Sequence, residues 1–147
     1  MTNTASAINV KGYTTPRAFS GFQIPITLQS LAIRRYCEDR GFVFNIHANE
    51  NITPDSYLVL KSVIEDSRQY QAVAMCSIGM LPQDRRLRTE LLCQALANGM
   101  SIHFVFEQMV VVSPENFTTL DELTSLCNLI PTDLQQIKSL QESADYE

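Results

Sequence analysis

Apolar and polar positions alternate between two rhythms along the chain. Leu28, Leu31, Ala32 and Tyr36 recur at steps of three and four, the spacing of one helical face. Pro25 suits the first turn of that helix, where a missing N–H costs nothing, and Gly41 suits its left-handed stop. Leu58, Val59, Val63 and Ile64 mark a second helix opened by Asp55 or Ser56. Leu87, Leu91, Leu92, Ala95 and Leu96 mark a third, from Asp84 to Asn98, with Gly99 as its stop. Between these stripes lie short runs rich in β-formers: Lys11–Thr14, Phe42–Ile46, Ala72–Cys76 and Met100–Phe106. Val110–Val112 extends the last run or adds a short edge. A final helix opens at Thr119 or Asp121 and runs through Leu129, until Pro131 breaks it.

Continuous apolar strands alternating with helices predict a parallel sheet covered on both faces. The expectation is a single three-layer α/β/α domain with a four-stranded, mainly parallel sheet in the order 2-1-3-4, flavodoxin-like or resolvase-like. Residues 1–10 read as a frayed tail, 11–130 as the domain, and 131–147 as a tail or short helix. Ligands of such sheets bind beyond the carboxyl ends of the strands, where strand order reverses. The four loops to watch are therefore Thr14–Gly21, His47–Glu50, Ser77–Pro82 and Glu107–Gln108.

Those loops supply the candidate chemistry. Glu50 and Glu107 are candidates for proton transfer, and Ser77 for a hydrogen bond to substrate. Arg17 carries a planar donor fork for a phosphate or carboxylate, with Ser20, Gln23, His47 and His103 as further binding candidates. His103, inside Ile102-His103-Phe104, also fits a satisfied core histidine. Arg85, Arg86 and Arg88 with Asp84 and Glu90 read as a solvated charged face. Neither a dinucleotide fingerprint nor a P-loop is present, and Ser77 lies outside any nucleophile elbow. No cofactor and no metal are expected, because Cys37, Cys76, Cys93 and Cys127 stand apart and read as small buried apolar residues.

Charge narrows the partners. Sixteen acids against eleven bases leave a net −5, which argues against nucleic acid and against an anionic membrane surface. No apolar run approaches the ~20 residues of a membrane span, and the N-terminus has no signal-peptide pattern, so a cytoplasmic protein is expected. The apolar run Met109–Val112, with Phe117 behind it, points to self-association.

Two resemblances add to this. Gly12-Tyr13, Arg17-Ala18-Phe19-Ser20-Gly21, Ile24-Pro25 with Gln29, Arg34-Arg35-Tyr36-Cys37, Glu50, Tyr57 with Leu60, Ser77, Leu81-Pro82 and His103-Phe104 with Glu107 follow one another in order. That order resembles the sporadic carbohydrate cluster proteins of bacterial surface-polysaccharide gene clusters. It implies a protein of surface-carbohydrate biosynthesis that binds a sugar, sugar phosphate or nucleotide sugar. If catalytic, it would be a cofactor-independent isomerase, epimerase or lyase; otherwise it would be a binding or assembly subunit for a neighbouring enzyme. Arg17, Ser20 and Gln29 are also similar to the opening of the serine recombinase catalytic domain. The stretch Cys76–Pro82 lacks the arginines such an enzyme needs after its third strand, which implies a shared scaffold with lost chemistry.

Overall fold

The computed structural model describes residues 7–66 and 68–126. Five strands form one sheet: β1 (Asn9–Thr14), β2 (Val43–Asn49), β3 (Ala72–Met75), β4 (Ser101–Phe104) and β5 (Met109–Val111). Their order is β2-β1-β3-β4-β5, with four parallel strands and β5 antiparallel at the edge beside β4. The expected order thus holds, and the strand count rises from four to five. Val111 is fully buried in β5 and Phe117 packs against the core, while Val112 stays 64% exposed. Of the run assigned to self-association, Val111 is thus spent inside the fold, while Met109 and Val110 are half-buried.

Three α-helices connect the strands: α1 (Ile26–Arg40), α2 (Leu58–Glu65) and α3 (Arg85–Ala97). Right-handed crossovers in this strand order put α1 on one face of the sheet and α2 with α3 on the other. A short 3₁₀ turn, Ile78–Met80, follows β3, and residues 117–126 are helical. Gly41 ends α1 at φ 69°, and its N–H and that of Phe42 close on the Glu38 and Cys37 carbonyls. The all-buried strand β3, with Val10, Tyr13, Ile33, Ile102 and Phe104, forms the middle of the core.

Several boundaries differ from expectation: β1 begins at Asn9, inside the stretch 1–10 read as a tail, with Val10 fully buried, and β4 ends at Phe104. β2 runs on to Asn49 because a bulge lets Ala48 and Asn49 keep pairing with Tyr13 and Thr14. His47 therefore lies in an edge strand, not in a loop. Neither Asp55 nor Ser56 caps α2; its free N–H groups are taken by the carboxylate of Glu50. Cys37 and Cys76 are buried as expected, but Cys93 is exposed on α3. Cys127, the end of the last expected helix, residues 1–6 and the expected C-terminal tail or short helix at 131–147 lie outside the described residues.

Candidate functional site

Beyond the carboxyl ends of β1 and β3, where strand order reverses, three loops enclose a cleft of about 400 Å³. The β1–α1 loop contributes Thr15, Arg17, Phe19 and Ser20. The β2–α2 loop adds Asp55 and Tyr57, and the β3–α3 loop adds Gly79 to Leu81 with Gln83.

The first loop is built as a clasp. Gln29, fully buried in the first turn of α1, accepts from the Thr15 N–H at 3.0 Å and donates to the Thr15 and Ile24 carbonyls at 2.7 and 2.8 Å. Both ends of the loop are tied to one side chain. Between them, Phe19 and Phe22 exchange two backbone hydrogen bonds across Ser20 (φ 51°) and Gly21 (φ 79°). Positive φ at both central residues is the signature of a type I′ hairpin turn.

Arg17 reaches from this loop across to the next. Its Nη1 and Nη2 donate to the carbonyls of Thr53 and Ser56 at 3.0 and 2.9 Å, and its Nε donates to Thr15 Oγ1 at 3.4 Å. The guanidinium lies 4.9 Å from the Tyr57 ring centroid. A guanidinium has five N–H donors, so two remain. Among the described residues no carboxylate pairs with Arg17. A fixed positive charge, satisfied by neutral carbonyls only, faces the cleft.

The acidic candidates take other work. Glu50, 2% exposed, accepts from Tyr13 Oη at 2.8 Å and from the backbone N–H groups of Asn51, Val59 and Leu60. Every favourable direction around its carboxylate is filled, and the negative charge sits at the positive end of α2. Burial, then the Glu50 charge, pushes the Tyr13 hydroxyl well above its usual range. Glu107 accepts from Ser77 Oγ at 2.6 Å and from the Ile78 N–H, while its second oxygen is buried without a partner. Ser77, 4% exposed, also accepts from the Gly79 N–H and so caps the 3₁₀ turn. Burial, then Glu107, pushes the neighbouring Cys76 thiol up to about 12. Glu50, Ser77 and Glu107 therefore lie behind the cleft wall and hold it in place.

The remaining candidates lie elsewhere. Gln23 donates to the Pro16 carbonyl on the outer side of the loop. His47 meets Ser30 Oγ at 3.1 Å, between β2 and α1. His103 is buried, with Nδ1 2.7 Å from Tyr36 Oη and Nε2 2.9 Å from Ser101 Oγ, and it fulfils the core-histidine reading. Burial, then the Arg40 charge, pushes it down to about 4. The fold thus favours its neutral form, while the unfolded chain takes up a proton near 6.5. Stability from this group is complete above pH 6.5 and is lost as pH falls toward 4. Urea midpoints measured from pH 7.5 to 4.5 should drop, and His103→Gln should flatten that drop. An equal slope in both proteins would show that other groups set it.

Thr15 and Gly79 lie in loops the sequence singled out and line the cleft without having been site candidates, and Tyr57, outside those loops, lines it as well. Sequence reasoning read Arg88 as solvated, whereas Arg88 is buried: it donates to the Pro82 and Gln83 carbonyls and pairs with Asp121 at 2.8 Å.

No protein-family model and no curated protein matches the chain. Solved structures do. The N-terminal catalytic domain of TP901-1 integrase superposes with a TM-score of 0.59 at 17% identity, covering 86% of this chain and 98% of that one. A resolvase family site-specific recombinase from Streptococcus pneumoniae gives 0.62 at 10% identity, covering 94% and 99%. The fold is resolvase-like. The expected scaffold similarity to serine recombinase catalytic domains is therefore met, and the carbohydrate-cluster resemblance gains no support. These neighbours also correct the functional expectation: they are recombinase and integrase domains, not sugar-binding proteins of carbohydrate biosynthesis. The exclusion of nucleic acid on net charge is overturned by the same neighbours. Net charge is a property of the whole chain and does not describe the cleft, whose wall carries Arg17 together with Asp55. No helix among the described residues is long and apolar enough to cross a membrane.

Proposed function

We propose that this chain is a cytoplasmic resolvase-fold protein that binds the phosphate backbone of DNA in the Arg17 cleft without cutting it. One observation carries the reading. Arg17 is held rigid by two carbonyls and an aromatic face, has no carboxylate partner among the described residues, and keeps two N–H donors beside the cleft. Such a group is preorganised for a phosphate, which it can meet through two parallel hydrogen bonds. The fold of recombinases, which act on DNA, makes a phosphodiester the fitting anion.

Strand cleavage is left out of the proposal because no activated nucleophile among the described residues faces the cleft. The Ser20 hydroxyl has no hydrogen-bond partner and hence no base. Ser77 has a carboxylate partner, but Ser77 is buried, Glu107 half-buried, and neither lines the cleft. The likeness in motif order to the sporadic carbohydrate cluster family is kept as a proposal about descent and carries no substrate.

Fluorescence anisotropy with a labelled DNA oligonucleotide at low salt tests this. Binding is expected in the range of about 10⁻⁴–10⁻⁶ M, typical of sequence-independent contacts, and it should weaken as salt rises. Arg17→Gln keeps an amide for the Thr53 or Ser56 carbonyl, so the loop stays tied, but it loses the charge. It should bind about tenfold more weakly, the worth of one charge-assisted hydrogen bond. Wild-type protein that does not bind, or an Arg17→Gln variant that binds equally, would overturn the proposal.

A further inference from the structure

His47 is held on the α1 side of the sheet by two features that each weaken the sheet. β2 spends three steps, Asn45 to Ala48, where β1 spends two, Lys11 to Tyr13, so one extra residue bulges from β2. In a regular strand, residues three apart point to opposite faces. The bulge cancels that alternation and brings Phe44 and His47 onto one face, the re-aiming of a side chain for which bulges are used beside functional sites. Opposite them stands Gly12, in an inner strand where a glycine packs nothing and weakens the strand. A Cβ there would stand 3.0 Å from Phe44 Cε2 and 3.1 Å from His47 Cβ, so no side chain fits unless a ring moves.

The rings so placed border a groove of about 380 Å³ between α1 and β2, lined by Ile26, Thr27, Ser30, Leu31, Arg34 and His47. Ser30 Oγ lies 3.1 Å from His47 Nδ1. With that hydroxyl assigned as donor, the ring carries its hydrogen on Nε2, which has no partner among the described residues. Arg34 lies over the Phe44 ring, 5.4 Å from its centroid, a contact that steadies the guanidinium. Its neighbour Arg35 pairs with Asp39, whereas Arg34 pairs with no carboxylate among the described residues. No acid is among the residues that line the groove, and none of them lines the Arg17 cleft.

We propose that this groove is a second anion site, independent of the Arg17 cleft, which takes a phosphate group between the Arg34 guanidinium and the His47 Nε2–H. A guanidinium fork by itself matches the two coplanar oxygens of a carboxylate. A phosphate has further oxygens outside that plane, and donors on other parts of the groove, His47 on β2 and the Thr27 hydroxyl two turns before Arg34, suit those. Ile26 and Leu31 give the carbon part of a phosphate ester an apolar surface. The bulge and Gly12 are then the structural cost of placing the imidazole.

Imidazole NMR of the full chain tests this with inorganic phosphate at fixed pH and ionic strength. The chain has two histidines, and buried His103 serves as the internal control. Phosphate should move the His47 signals to saturation and leave those of His103 in place. Arg34→Gln should weaken the response about tenfold, the worth of one charge-assisted hydrogen bond. Arg35→Gln removes the same charge outside the groove and should bind phosphate as wild type does. His47 signals that do not move, or that drift without saturating, would overturn the proposal. So would equal affinity in Arg34→Gln, or an equal loss in Arg35→Gln, which would reduce the effect to overall charge. A DNA oligonucleotide that moves the His47 signals in the same way would identify the phosphate as one of a nucleic-acid backbone. An oligonucleotide that leaves them unmoved, where phosphate moves them, would identify it as that of a small ester. Failure of this site leaves the Arg17 reading standing, since that is measured separately by anisotropy with Arg17→Gln.

Discussion

Glu50→Ala should cost this protein about 4 kcal/mol or more, enough to unfold much of the population. The carboxylate accepts four hydrogen bonds in a site that is 2% exposed. Its removal strands the Tyr13 hydroxyl and three backbone N–H groups, and each unsatisfied buried donor costs about 1–3 kcal/mol. Water entering the vacated space recovers part of this. A domain of this kind is stable by roughly 5–15 kcal/mol, so the loss is a large share of the total. Glu50→Gln keeps one acceptor oxygen and the shape, and it should lose less, about 1–2 kcal/mol. Urea denaturation of the three proteins measures the difference. A Glu50→Ala protein within 0.5 kcal/mol of wild type, an ordinary surface effect, would mean that the carboxylate does not hold the start of α2.

Asp121→Ala should be nearly as damaging, at about 3 kcal/mol. Arg88 is 5% exposed at its side chain, and Asp121 is the carboxylate that neutralises it. Removing one partner of a buried pair leaves an uncompensated charge, which costs about 3–5 kcal/mol; the low end applies because Asp121 is itself 25% exposed. Arg85 lies on the other oxygen of Asp121 at 3.2 Å, but it is mostly in solvent and contributes little. The double change Arg88→Met with Asp121→Ala should recover part of the loss, since no charge is then left buried. A double variant no more stable than Asp121→Ala would show that the two side chains act independently.

The fold was legible because its signals are periodic and local. Pro25 and the stop at Gly41 mark the ends of α1, but its buried face is Gln29, Ile33, Tyr36 and Cys37, and Leu28 and Leu31 of the expected stripe are more than half exposed. β2 was cut short at Ile46 because polar residues end an apolar run, yet an edge strand with an open side accepts His47 and Asn49. The expected start of α3 at Asp84 is met, because its side chain accepts from the Arg86 N–H and caps the helix. The stripe itself misled on Arg88, a charged residue that the helix faces inward, because only a distant partner, Asp121, makes its burial tolerable.

The site was legible in its place and not in its members. Strand order located the cleft, and Arg17 and Ser20 line it as the reversal of order predicts. Glu50, Ser77 and Glu107 sit on the right loops, but loop position does not tell a carboxylate that faces a ligand from one that faces a backbone. For Glu50 that depends on Tyr13, 37 positions away, and on the start of α2. Tyr57 entered the sequence reading only as part of a motif order, which says nothing of its place under a guanidinium from another loop.

The place of β1 in the sheet bears on how the chain acquires its structure during synthesis. β1 is the first strand made, yet it is an inner one, paired on one side with β2 and on the other with β3. Its second partner begins at Ala72, about 60 positions later. At about 5–20 residues per second, a nascent chain carries Val10 and Tyr13 without their native neighbours for several seconds. Parallel pairing across such separations is slow in its own right, because loop closure must come before the contacts that reward it. The commitment to fold therefore waits for β3 to emerge, and the interval before it is when the chain is most open to aggregation or to a chaperone.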